Sequence, residues 1–327
     1  MADYLKRWLA SGPLQRRVSV RTLEGYTYYA EKHLISPPPH EIGDALLSNL
    51  TAQDLDELYD RKLDAGVGVR TVRYAHQTVS VALQNAVKKR LIPHNPARDA
   101  DPPPMPRRKE TVTLTFEEVE AFVSAANGTR FEAVFILGLC TGLRPGELLG
   151  ALWEDLDLPD TSSEDGTLYV RRALAETKRH GLVPRDTTKT NRSRAIALMP
   201  EAIAVLRAHR ARQAEEELRY KGLREDLGLI FPNTTGGYMA NSNLSQRYFK
   251  PILKKAGLPK ETRFYDLRHA FATNWIEAGE SVEVLQKVLG HSSYQITVDR
   301  YVKISSEFQR SSIARFAERH AERRRTQ

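Results

Sequence analysis

The sequence predicts a mainly helical protein with a small antiparallel β-sheet, divided into two bodies, and three observations carry that expectation. Residues 69–91 place Val72, Ala75, Val79, Leu83, Ala86 and Val87 at helical spacing. Residues 167–173 and 194–198 alternate like strands of a small antiparallel sheet. Residues 93–109 hold six prolines in seventeen positions. Proline lacks the N–H donor and disfavours helix before it, so this stretch predicts an extended linker. The bodies on either side are 1–92 and 110–327.

The first body reads as helical. A short amphipathic helix starts at Tyr4 and runs to Ala10. A second, Thr22 to His33, carries Tyr26 and Tyr29. Thr51 is an N-cap signal for a third, Leu55 to Asp64. The fourth is 69–91, with Arg70 and Arg73 at one end and Lys88, Lys89 and Arg90 at the other. With Arg107, Arg108 and Lys109 in the linker, these cations are candidate phosphate contacts, set against a plain solvated charged face.

The second body is mixed. Thr115 and Glu118 form a capping-box pattern for a helix to Ala126. An apolar helix, Arg130 to Leu139, ends at Thr141-Gly142, and Pro145 opens the next. After the strands, 200–219 is helical, Gly236-Gly237 is a turn, and helices dominate from Leu244 to an arginine-rich tail. Phe308 to Gln327 carries six arginines against two glutamates, with Phe308, Ile313, Phe316 and Ala317 on one helical stripe.

The 327 residues are 41% hydrophobic, enough for a core. Lys+Arg exceeds Asp+Glu by 49 to 41, a net charge of +8 that favours an anionic partner, most often nucleic acid. A single cysteine, Cys140, lies in an apolar run and excludes an intramolecular disulfide. No run of 18 apolar residues predicts a spanning helix. The start, Met1-Ala2-Asp3-Tyr4, does not read as a signal peptide, which predicts a cytosolic protein. Neither a Gly-rich phosphate loop ending in Gly-Lys nor an acidic cluster for Mg²⁺ occurs, so no cofactor or metal is expected.

Chemistry-bearing residues fall in the order Arg144, Lys189, Tyr265, Arg268, His291, Tyr301. Arg144 follows a glycine turn and precedes a helix opened by Pro145. It would stand beside amides that favour an anion, with Glu147 three residues on able to hold its guanidinium. Arg268 lies in Tyr265-Asp266-Leu267-Arg268-His269-Ala270-Phe271-Ala272-Thr273. His291 lies in Leu289-Gly290-His291-Ser292-Ser293, and Tyr301 follows ten residues later. Tyr294 comes too soon after His291 to take that place.

These motifs resemble the tyrosine recombinases, also called the phage integrase family. The box around Arg268 matches H-x-L-R-H-[TA]-F-A-T, the segment at His291 matches L-G-H-[SK]-S, and Tyr301 ends a T-x-x-x-Y pattern. Lys189-Thr190-Asn191-Arg192-Ser193-Arg194 matches the segment holding the family's catalytic lysine, with Lys178 the alternative. The resemblance is strong over 110–310. It implies a helical core-binding, SAM-like domain followed by a mixed α/β tyrosine-recombinase catalytic domain with a C-terminal tail helix.

The implied activity is site-specific cleavage and rejoining of double-stranded DNA at core or attachment sites. It proceeds through a 3′-phosphotyrosyl intermediate and a Holliday junction, without metal or ATP. Arg144, Arg268 and His291 would hold the scissile phosphate, Tyr301 would attack, and Lys189 would protonate the leaving 5′-oxygen. The resemblance also implies a homotetramer on DNA, an accessory DNA-bending or directionality factor, a nucleoid location in a bacterial or phage-infected host, and no membrane. An integrase of a phage or mobile element is the first reading. A Xer-like chromosome-dimer resolvase, a type IB topoisomerase-like enzyme and a non-catalytic DNA-binding protein on a decayed scaffold are the alternatives. One departure stands out, because Tyr265 occupies a position where the family usually has histidine. A phenol with a pKa of about 10 can donate a hydrogen bond to phosphate but shuttles protons poorly at neutral pH. His269, about 100° further round the helix, is expected to pack internally.

Overall fold

The computed structural model describes residues 1–35, 42–106, 114–158, 165–186, 193–220, 222, 224–301, 313, 314 and 317. It divides into two compact units, Met1–Lys109 with Thr177–Arg179, and Glu110–Glu176 with His180–Gln327.

The first unit is helical: α1 (Ala2–Leu9), α2 (Gly12–Arg17), α3 (Val20–Ala30) running into a π-helical turn at Glu31–Ile35, α4 (Ala52–Asp64) and α5 (Val69–Lys88). Ser19 caps α3 by accepting from the Thr22 amide, and Thr51 with Asp54 forms a reciprocal capping box on α4. The stripe read on α5 is the buried one, with Val72, Ala75, Val79, Leu83 and Ala86 at or below 4% exposure. The Tyr4 hydroxyl donates to the Ala82 carbonyl at 2.6 Å, and burial pushes that phenol up to about 12.

Two features of this unit differ from expectation. Gly12-Pro13 opens α2, because proline in a first helical turn lacks only an N–H that would have no helical partner anyway. The proline-rich stretch starts as part of the core: Asn95 caps a 3-10 turn at Pro96–Arg98, and Ala97 and Ala100 are buried among the helices. Asn95 Oδ1 accepts from the Ala97 amide, its Nδ2 donates to the Ser80 carbonyl, and the alanines are small enough to pack.

The second unit contains α6 (Phe116–Ala126), α7 (Glu132–Thr141), α8 (Pro145–Leu149), β1 (Leu156–Asp157), β2 (Thr167–Val170), β3 (Arg172–Thr177), β4 (Gly181–Asp186), β5 (Arg194–Ala197) and α9 (Pro200–Arg219). After these come α10 (Asn241–Leu244), α11 (Lys250–Lys255), α12 (Asp266–Glu277), α13 (Val282–Leu289) and α14 (Tyr294–Tyr301). The main sheet has the order β1-β2-β5, antiparallel throughout, with Leu168 opposite both Leu156 and Ile196. The pair β3-β4 is a separate two-stranded sheet, so the single strand read at 167–173 is broken after Val170.

α7 is apolar on nearly every side, as a central helix must be, and packs against both α9 and α12. Phe122, Phe135, Phe249 and Phe264 meet around it with ring centroids 5.3–5.7 Å apart. Cys140 packs against this core, and burial pushes its thiol up to about 11, which makes it inert as a nucleophile. Among the described residues no helix is long and apolar enough to cross a membrane.

Phe135 touches three other rings and is fully buried, so Phe135→Ala is expected to cost about 3–5 kcal/mol in denaturant unfolding.

Candidate active site around Arg268

Two helices of the second unit end in left-handed glycines, Gly142 after α7 and Gly290 after α13, with φ of 61° and 63°. Both ends turn toward Arg268, on the first turn of α12. Arg268 Nη1 donates to the Gly142 carbonyl at 2.7 Å, and Nη2 donates to the Leu289 carbonyl at 2.9 Å. The negative ends of two helix dipoles thus face one buried guanidinium. Gly142 has no substitute here, since a Cβ would lie 2.4 Å from the Phe271 ring.

Arg268 is 1% exposed. Burial, and after it the charge of Arg144, pushes its guanidinium down to about 10, which leaves it cationic at neutral pH. Its Nε is buried and meets no acceptor among the described residues. A donor left so is costly unless something accepts from it.

Nη2 of Arg268 also lies 2.9 Å from His291 Nε2. A guanidinium only donates, so Nε2 accepts, and His291 carries its proton on Nδ1. That nitrogen donates to Thr297 Oγ1 at 2.8 Å, and Thr297 is fully buried on α14. The imidazole is therefore fixed at both ends. The ring of Tyr301, the last residue of α14, lies nearly parallel to it, with centroids 6.2 Å apart and planes at 5°.

Arg144 stands on the opposite side of the Gly290 turn. Its Nη2 donates to the Gly290 carbonyl at 3.3 Å and its Nη1 to Glu147 Oε1 at 2.9 Å. The expectation of an anion site at the start of α8 needs correction. That helix has five residues, and the Glu147 carboxylate already accepts from the Arg144 amide at 2.9 Å. What faces outward is the Arg144 side chain, about two-fifths exposed.

Glu147 is held by a second guanidinium that the sequence reading left without a role. Arg194, the first residue of β5, donates to both Glu147 oxygens at 3.1 and 2.7 Å, and its Nε donates to the Val288 carbonyl at 2.8 Å. Burial alone would raise the Glu147 carboxyl. The hydrogen bonds and charge of Arg194, joined by the charge of Arg144, outweigh it and hold the group below its ordinary value. Two guanidiniums share the Glu147 carboxylate and Arg268 adds a third cation with no carboxylate of its own, so the cluster is positive and suits a phosphodiester.

Tyr265, the N-cap residue of α12, reaches the cluster indirectly. Its ring meets the edge of His269 at 5.2 Å, and His269 meets Tyr301 at 5.5 Å. His269 is buried as expected, at 6% exposure, yet against the tyrosine rather than in a remote core. Lys189, Arg107, Arg108 and Lys109 lie outside the described residues. Lys178 sits in the turn between β3 and β4 that is grouped with the first unit. In that unit Arg70, Lys88 and Lys89 are exposed, while Arg73 donates to the Pro103 carbonyl at 2.8 Å. No group of metal-ligating side chains occurs among the described residues.

The model of the phage integrase family matches residues 112–307, which include every member of this cluster. The chain belongs to the phage integrase family. It is thus a tyrosine recombinase, an enzyme of site-specific DNA recombination. It is 28% identical to an integrase of Streptomyces ambofaciens over 93% of this chain and 76% of that one. It is 27% identical to a tyrosine recombinase XerC-like protein of Caldanaerobacter subterraneus subsp. tengcongensis, over 79% of this chain and 68% of that one. In fold it resembles the Tn1549 transposon integrase in complex with transposon right end DNA, with a TM-score of 0.72 at 21% identity, covering 96% and 99% of the two chains. It also resembles a lambda integrase dimer bound to a COC′ core site, with a TM-score of 0.61 at 18% identity, covering 93% and 96%.

The Glu147 clasp makes the recombinase acid-sensitive in a defined direction. A carboxyl held below its ordinary value of 4.5 contributes stability in full above that pH and loses it as the pH falls through the folded value. Glu147→Gln is expected to cost about 3 kcal/mol at pH 7, with the gap in melting temperature between parent and variant closing below pH 4.5.

Proposed function

We propose that Arg144, Arg268, His291 and Tyr301 cut one strand of duplex DNA and hold it as a 3′-phosphotyrosyl ester. The observation that carries this reading is the buried Arg268, wedged between two helix ends with His291 on Nη2 and the Tyr301 ring stacked beyond. Such a guanidinium cannot reorganise in the reaction. It stabilises charge that develops on a phosphorus oxygen without first having to be ordered, which is where electrostatic catalysis gains most.

In this reading, Arg144 and Arg268 donate to the non-bridging oxygens of the scissile phosphate. His291, its tautomer set by Thr297, accepts from Arg268 Nη2 and so holds that guanidinium for the same oxygens. Tyr301 attacks phosphorus and its phenolic proton passes to solvent, the bond to the 5′-oxygen breaks, and Lys189 gives that oxygen a proton. The products are a phosphotyrosine ester and a 5′-hydroxyl. Attack by the 5′-hydroxyl of a partner duplex reverses each step, so the phosphoester is conserved and no nucleotide cofactor is consumed. Two rounds of exchange pass through a Holliday junction, which requires four active protomers, hence a homotetramer on two duplexes.

The basic residues of the first unit, Arg70, Arg73, Lys88 and Lys89, with Arg107, Arg108 and Lys109, would add non-specific phosphate contacts. The relative named integrase, matched over most of the chain, supports the integrase reading. The setting that goes with it is a phage or mobile element inside a bacterial cell, acting on the nucleoid with an accessory DNA-bending or directionality factor. Tyr265 would line the site as a hydrogen-bond donor.

Incubation with nicked duplex spanning the junctions beside the protein's own gene is expected to trap one protein mass on DNA in a denaturing gel. Tyr301→Phe should abolish the adduct while salt-sensitive binding persists, and an adduct that survives would name another nucleophile. Tyr265→Phe should slow trapping by about tenfold, and Tyr265→His should match or exceed the parent. Full-rate cleavage by Tyr265→Phe would remove that residue from the chemistry.

A further inference from the structure

We infer that His269 is a positioning residue for the nucleophile: its ring, seated between Tyr265 and Tyr301, sets the approach of the Tyr301 phenol to the phosphate. The inference rests on the proposed reading of Tyr301 and adds a residue that the motif order does not single out.

The helix period brings the parts together. Tyr265 and His269 are four apart on α12 and share a face, while Arg268, between them, turns its guanidinium toward the glycine caps. One helical turn therefore presents the buried cation to the phosphate and the His269 ring to α14. His269 is 6% exposed. It meets Tyr301 with centroids 5.5 Å apart at 53° and Tyr265 at 5.2 Å and 66°. Tyr301 thus lies against two imidazoles, the tilted His269 and the nearly parallel His291.

Those two contacts come from different elements and restrain different motions. His291, fixed by Arg268 and Thr297, sets the plane of the Tyr301 ring. His269 meets it at an angle and limits rotation within that plane. Tyr301 lies on the last described turn of α14, and its ring meets these two imidazoles. In-line attack requires the phenol oxygen, phosphorus and leaving oxygen to align, and a displacement of about 1 Å costs on the order of a hundredfold in rate.

The inference assigns His269 to the attacking half of the reaction and not to the leaving half. Lys189 supplies the proton to the 5′-oxygen in the proposed mechanism, and a DNA whose bridging 5′-oxygen is replaced by sulfur does not need that proton. Such a substrate separates the two halves.

The experiment uses the full chain and the nicked junction duplex, with oxygen or sulfur at the bridging position. His269→Ala is expected to lower the rate of adduct formation at saturating DNA by about 10- to 100-fold while DNA affinity changes by about twofold or less. His269→Phe, which keeps a flat ring between the two tyrosines, should recover most of the loss. Sulfur should restore Lys189→Ala and leave His269→Ala slow. Full-rate trapping by His269→Ala, its rescue by sulfur, or a His269→Phe variant that melts like the parent and is as slow as His269→Ala would each overturn the inference. If the parent forms no adduct on any junction, the recombinase reading of Tyr301 falls, and this inference with it.

Discussion

A buried arginine is expensive. Moving a guanidinium out of water costs several kcal/mol even after relaxation, and the cost is offset only by well-placed acceptors. In this recombinase the acceptors on Arg268 include the carbonyls of Gly142 and Leu289, at the ends of α7 and α13. Everything near the site follows from that arrangement. Both helices must stop where they do, both must stop in a left-handed residue, and the two ends must approach within the span of one side chain. Gly142 meets the second and third conditions at once, since only a residue without Cβ fits both the positive φ and the Phe271 ring. At Gly290 a Cβ would press on the Arg194 guanidinium at 2.9 Å, so that glycine serves the neighbouring clasp as well.

That clasp extends the arrangement to the sheet. Glu147 lies between Arg144 and Arg194, and Arg194 also holds the Val288 carbonyl of α13. β5 is thereby fixed to the same turn that carries His291. The groups of the cluster are thus joined through main-chain carbonyls and one carboxylate. This explains how residues spread over more than 150 positions meet without metal ligands among those described.

Much of this was legible in the residues. Arg144, Arg268 and His291 each sit beside their own backbone device, a glycine turn or a helix start, and such devices are local. Glu147 was legible as the partner of Arg144 because three residues on a helix turn are neighbours. Arg194, Thr297 and His269 were not legible as site residues. Arg194 meets Glu147 across 47 residues, and no local pattern encodes that pairing. For His269, helical period gave its direction relative to Arg268 but not the identity of what packs there, since that depends on α14 docking. The proline count overstated the linker because it could not weigh the Asn95 cap or the small alanines that let 95–100 pack inward. The hairpin β3-β4 was missed because Arg172–Thr177, half polar and with two alanines, shows little strand preference.

The clasp on Arg268 has a consequence for the cell that makes the enzyme. An enzyme of DNA recombination is a hazard to the chromosome if it acts before it is properly assembled. Here the Arg268 guanidinium has no lodging until α7, α12 and α13 have all docked, because two of its three described partners are the ends of separate helices and the third, His291, follows one of them. A nascent or damaged chain carries the same residues but no organised charge to receive a phosphate. The organised charge of the cluster and the completed fold of the second unit therefore arrive together.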